Sequence, residues 1–216
     1  TYNFTIAAIN DFGAASETVT LTVEAGYTNA RSVNFNNNDY MSASATTSSP
    51  FYRAGNGSGS SDAWTLSFFF KPGTHNNPNQ TIIYYGGERP PTNVSGVWVA
   101  YAGNKDKIRL EYGGGGSKVI LETPDDSLTP GTWHHVLITY DGGTTGGSGS
   151  ESDWFSRFEI WLDGVSQALT TDTEGSSGFS DAIPVEVFEI GRHQGSDKYM
   201  RNDCRVDEIA IWEGDL

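Results

Sequence analysis

The residues with the most chemical potential fall in one run, GTWHHVLITYDG at residues 131–142, where His134 and His135 stand between Trp133 and Asp141. Two imidazoles and a carboxylate this close in sequence admit three readings: a metal site, an acid/base pair, or part of a β-sheet. The alternation of the run decides among them. Neighbours on a strand point to opposite faces, so His134 goes with Val136, Ile138 and Tyr140, and His135 with Trp133 and Leu137. The pair then cannot close on one ion. One imidazole is expected to be hydrogen-bonded inside a two-layer core, and the other to lie on an outer face. His75 and His193 sit in turn-rich stretches with no Cys, His or carboxylate at a zinc-like spacing.

The acids and exposed aromatics supply the remaining candidates. Asp207 and Glu208 are adjacent, so strand parity points them apart. Calcium takes carboxylate and carbonyl oxygens from loops. Candidate ligands for a structural Ca2+ are Asp39, beside Asn38 in NNNDY, together with Asp197, Asp203 and Asp207 in SDKYMRNDCRVDE. No contiguous calcium loop is present. A sugar or protein partner would use exposed rings flanked by hydrogen-bonding groups. Trp161 in FEIWLDG, Trp154 at the edge of a glycine-rich stretch, and Tyr199 in RHQGSDKYMRND fit that description. Trp98 and Tyr101 lie on a strand and are expected in the core, as is Cys204.

The elements that must position these residues are short strands. Glycine is abundant at 26 residues, with 8 prolines, and Ser, Thr and Asn separate short aromatic and β-branched runs. WTLSFFFKPG, TIIYYG, SGVWVAYAG, KIRLEYGG, SKVILET, RFEIWLDGV, VEVFEIGR and CRVDEIAIWEG follow one another at turn-sized intervals. This is the pattern of a two-sheet antiparallel sandwich or jelly roll. At the N-terminus, TYNFTIAAIN and SETVTLTV alternate around a turn and read as a hairpin. Residues 53–62 and 142–153 are glycine- and serine-rich loops.

Charge excludes whole classes of partner. The chain carries 27 acidic residues against 13 Lys plus Arg, a net charge of -14. A phosphate backbone needs a basic face, and none is apparent, so nucleic acid is not expected. Membrane insertion is not expected either, because no long apolar run or anchor motif is present. With one cysteine there is no intrachain disulfide. A chain beginning at Thr1 reads as a fragment, so missing targeting signals say little about compartment.

The order of motifs resembles a known family. SVNFNNNDYM, WTLSFFFKPG, GTWHHVLITYDG, IWLDGV, EIGRH and RVDEIAIWEGDL follow the order of laminin-G-like, concanavalin A-like jelly rolls. The resemblance covers residues 30–216 and implies two stacked antiparallel sheets of six or seven strands each. Residues 1–25 resemble the last hairpin of a fibronectin type III or immunoglobulin-like module, with 26–29 as a linker. The fold class expected is therefore all-β.

The jelly-roll family hosts lectins, glycan hydrolases, adhesion modules and structural domains, so activity must be read from a site. Its endoglucanases use Glu-x-Asp-x-x-Glu on one strand, and the nearest stretch here, ESDWFS, offers Glu151 and Asp153 but Ser156 in the last position. The expectation is a non-enzymatic lectin-like module at an extracellular or virion surface, contacting a glycan or protein. A phage or viral decoration or fibre protein, bound to other virion subunits, is the first alternative. A glycan hydrolase is the second.

Overall fold

Alternating apolar residues, and the short turns between them, give the described residues an architecture of strands. The structure is a computed structural model, and it describes residues 2–10, 13–21, 32–35, 39–44, 63–74, 78–87, 95–114, 117–142, 155–174, 187–193, 198–201 and 203–214. The chain divides into two compact units, Thr1–Arg31 and Ser32–Leu216. In the first, β1 (Tyr2–Asn10) pairs antiparallel with β2 (Gly13–Leu21).

The second unit contains β3 (Val33–Phe35), β4 (Met41–Ser44), β5 (Trp64–Lys71), β6 (Gln80–Gly87), β7 (Ser95–Ala102), β8 (Lys107–Gly114) and β9 (Ser117–Glu122). It continues with β10 (His134–Tyr140), β11 (Phe158–Leu162), β12 (Val165–Ser166), β13 (Thr170–Glu174), β14 (Val187–Ile190) and β15 (Cys204–Glu213). They form a six-stranded sheet in the order β12-β11-β10-β5-β15-β3 and a seven-stranded sheet in the order β13-β9-β8-β7-β6-β14-β4. Every described pairing is antiparallel, and the last strand pairs with the first of this unit, Cys204 opposite Phe35.

Period-2 alternation places one residue in two between the sheets. On β5 these are Trp64, Leu66, Phe68 and Phe70; on β7, Val97, Val99 and Tyr101; on β10, Val136, Ile138 and Tyr140. All are buried, as the sequence predicts for Tyr101. Aromatic rings tie the layers together. Tyr140 lies 4.7 Å from Phe158 and 5.3 Å from Tyr112 between ring centroids, and Trp64 lies 5.7 Å from Tyr140. Cys204 is buried, accepts a hydrogen bond from Gly73 N at 3.2 Å, and has its thiol pushed up to about 11 by burial.

Two local features set which way side chains point. Leu162 pairs with Val165, so Asp163 and Gly164 are a two-residue hairpin turn with φ of 51° and 79°, the left-handed geometry that an Asp-Gly pair favours. On β15 the register against β5 slips between Asp207 and Ala210. Glu208 has φ of 48° there, and its N–H donates to Asp207 Oδ1 at 2.8 Å. This β-bulge corrects the parity expected for Asp207 and Glu208, because an extra residue interrupts the pleat where they sit. Asp207 keeps the outward phase and Glu208 occupies the bulge.

Candidate functional site

The histidine pair divides as its strand requires. His134 is 8% exposed; its Nε2 accepts the Thr129 N–H at 3.0 Å, which leaves the ring proton on Nδ1, 2.7 Å from Asp163 Oδ2. The other oxygen of Asp163 accepts the His135 N–H at 2.8 Å. His135 points outward, with Nε2 2.8 Å from Ser67 Oγ and its ring 5.1 Å from Phe69. His134 thus ties a loop, a strand and a hairpin turn together. The two imidazoles share no ligand.

The outer face of the seven-stranded sheet holds a second aromatic cluster and most of the described ion pairs. Register aligns Ser42, Glu189, Tyr84, Trp98, Glu111, Ile120 and Asp172 in one row across all seven strands. The next row brings Gly86, Gly96 and Gly113 side by side. A Cβ on Gly96 would run into the Tyr85 carbonyl and come within 3.2 Å of the Tyr84 ring. The missing side chain lets that ring lie against the sheet. Tyr84 and Trp98 are nonetheless buried, because His193 packs 4.3 Å and 5.2 Å from their ring centroids and Lys198 Nζ sits 4.4 Å over Trp98. Trp98 Nε1 donates to Thr81 Oγ1, which donates to Lys198 O at 2.6 Å.

Trp98 therefore belongs to this covered outer cluster rather than to the core between the sheets, where strand membership alone had put it.

Two nearly inaccessible carboxylates flank the rings, and both are paired, as buried charges must be. Glu189 is fully buried and meets Arg192. Glu111 is bridged by Arg109 at 2.6 Å and by Lys118 at 2.6 Å. From Arg109 the chain of pairs runs on through Glu122 at 2.9 Å, Lys107 at 2.7 Å and Asp125 at 2.8 Å. Burial works against ionisation of Glu122, but hydrogen bonds from Lys107 and Arg109 outweigh it and lower its pKa. Burial likewise works against Arg109, and Glu111 and Glu122 reverse it, raising the guanidinium's pKa.

At the β14–β4 end of this face the Arg192 guanidinium lies 3.4 Å from the centre of the Tyr40 ring, which is 45% exposed. Tyr199 is half-buried with its ring 6.5 Å from Tyr40. This ledge of two phenols and a clamped guanidinium presents both apolar ring surface and hydrogen-bonding groups.

The aromatic candidates from sequence do not form one site. Tyr199 is on this ledge, whereas Trp161 lies on the outer face of the six-stranded sheet, half-buried, its Nε1–H donating to Glu159 at 3.0 Å. Trp154, Glu151, Asp153, His75, Asn38 and Asp197 lie outside the described residues. Of the calcium candidates, Asp39 and Asp203 are exposed at strand ends and Asp207 sits at the bulge. Among the described residues no three His, Cys, Asp or Glu side chains gather in a way that could hold a metal ion. No described helix is long and apolar enough to cross a membrane.

Missed in the sequence was the ladder of alternating charges. KIRLEY and SKVILE carry its signal, with Lys107, Arg109 and Glu111 on one strand and Lys118 and Glu122 on the next, each at every second or fourth position.

A family model described as the concanavalin A-like lectin/glucanases superfamily matches residues 35–216. Similar solved structures include the binding domain of botulinum neurotoxin serotype D, 13% identical with a TM-score of 0.50, covering 98% of this chain and 43% of that one. Domains LG4-5 of the mouse laminin alpha1 chain are 13% identical with a TM-score of 0.49, covering 94% and 47%. The sialidase CBM40 of Ruminococcus gnavus bound to alpha2,3 sialyllactose is 11% identical with a TM-score of 0.47, covering 81% and 91%. The chain spans less than half the length of the first two. No curated protein matches the chain in sequence.

Proposed function

From its membership of the concanavalin A-like lectin/glucanases superfamily, we propose that this chain is a non-enzymatic, lectin-like binding module whose ligand is a glycan or a glycan-bearing protein. The observation that carries the reading is the Tyr40–Tyr199–Arg192 ledge, where ring surface and a guanidinium fixed by Glu189 stand together at the edge of a polar sheet face. Sugars present C–H faces and hydroxyls, and such a ledge offers a partner for each.

The carboxylate geometry supports binding over hydrolysis. Glycoside cleavage needs one protonated and one ionised carboxyl group flanking the same bond. Glu189 and Glu111 stand three strands apart, roughly 14 Å by strand spacing and beyond that reach. Glu111 and Glu122 share Arg109, and each also pairs with a lysine, Lys118 and Lys107 respectively, so both carboxylates are engaged by two cations and neither stands free to hand a proton to a leaving group. The reading includes display outside a cell or on a virion, where glycans are met, and takes β1–β2 as the closing pair of an immunoglobulin-like or fibronectin III-like module in tandem with the jelly roll.

A glycan array probed with the full chain tests this. Binding that falls about tenfold, about 1.4 kcal/mol, in Tyr199→Ala or Arg192→Ala is the expected result. Silence across the array would remove the lectin reading in favour of a structural role. Turnover of a polysaccharide, lost in Glu111→Gln or Glu122→Gln, would make the chain an enzyme.

A further inference from the structure

The six-stranded sheet has an outer face of a different chemistry, which the ledge does not use. An antiparallel sheet with one solvated face normally alternates apolar inward and polar outward. Here the outward positions on four adjacent strands include Trp161, Leu137, Phe69 and Trp212. Trp161 is directly opposite Leu137, and Leu137 directly opposite Ser67, with Ala210 next in the row. Phe69 is 37% exposed, and Trp161, Leu137 and Trp212 are each partly exposed. Nothing in the fold requires these rings outside, since Leu66, Phe68, Phe70 and Ile138 fill the inner face of the same strands.

Carboxylates border much of the patch. Glu159, Asp163 and Glu208 are exposed, and Asp207 sits directly opposite Phe69. Lys71 and Arg205 stand opposite one another, two residues along from Phe69 and Asp207. One Asp207 oxygen, Oδ2, is enclosed and makes no hydrogen bond within the protein.

We propose that this face docks a cationic, partly apolar segment of another protein. Apolar side chains would cover the Trp161–Leu137–Phe69 surface while Lys or Arg groups meet the exposed carboxylates of Glu159, Asp163 and Glu208. Charge complementarity selects that occupant. A second copy would bring the same carboxylate rim against itself, on a chain of net charge -14. Apolar patches with a polar rim mark contact surfaces, and the rings supply the anchors that such contacts use.

The test uses the full chain with a synthetic peptide alternating lysine and leucine, and a matched peptide alternating glutamate and leucine. Binding is read from the Trp161 indole N–H by NMR and from titration. The lysine peptide is expected to shift that resonance and to bind about tenfold more tightly than the glutamate peptide. Its affinity should fall about tenfold in Trp161→Ala and in Glu159→Lys, and stay unchanged in Tyr199→Ala. Glu159 is exposed, so its variant keeps the test valid if Trp161→Ala folds poorly. Equal affinity in wild type and both variants would mean diffuse attraction to an acidic surface and would overturn the proposal. So would self-association abolished by Trp161→Ala, which would make a second copy the occupant, or an unperturbed indole. Because Tyr199→Ala reports on the ledge alone, its loss of glycan binding and the loss of peptide binding fail separately.

Discussion

The two outer sheet faces of the jelly roll are built by one rule and end as opposites. Both arise from residues that alternate with the core, yet the seven-stranded face has its rings, Tyr84 and Trp98, covered by His193 and Lys198 and its carboxylates paired. The six-stranded face leaves Phe69 37% exposed, with His135 opposite it on one side and Asp207 on the other. Polar groups at the first are committed to one another and fix a rigid surface. At the second, apolar area and charge remain available to something else. Strand periodicity decides which residues leave the core, but the cross-strand neighbours decide what they become.

The sharpest test compares the two tryptophans. Trp98→Ala removes a buried ring and should destabilise the unit by about 3–5 kcal/mol in urea unfolding, whereas Trp161→Ala should cost less than about 1 kcal/mol. Equal losses would erase the distinction. Next in size, Gly96→Ala drives a methyl group into the Tyr85 carbonyl and the Tyr84 ring; about 3 kcal/mol is expected. Glu111→Gln leaves Arg109 and Lys118 without the charge that both now share, and about 2 kcal/mol is expected. On the other face, Glu159→Gln should change stability by no more than about 0.5 kcal/mol.

Most of the layer architecture was legible in the sequence because the alternation is long and unbroken. WTLSFFFK places Trp64, Leu66, Phe68 and Phe70 inward, and HHVLITY separates His134 from His135. The bulge was also written there, though not in the acids. The apolar positions of β15 change phase, from Cys204 and Val206 to Ile209 and Ile211, and only an inserted residue can do that while all four stay against the core. The sites were less legible. Trp98 reads as core by its strand alone, and the packing of His193 and Lys198 over it on the far face explains its burial. The Tyr40–Tyr199 contact joins residues remote in sequence, and no local pattern announces it.

The smallest effect separates the faces by pH. Glu122 has a lowered pKa because Lys107 and Arg109 overcome the effect of its burial. As pH falls, the unfolded chain therefore takes up the proton first. The contribution of Glu122 is complete above its ordinary value of 4.5 and is lost as pH drops through the folded value. Its partners are partly exposed, so solvent screening holds the contribution under about 1 kcal/mol. Urea midpoints measured from about pH 6 to about pH 3 should fall more steeply for the wild type than for Glu122→Gln. Parallel curves would mean that the ladder's charges are shielded by water rather than by each other, and the seven-stranded face would then be as open to solvent as its counterpart.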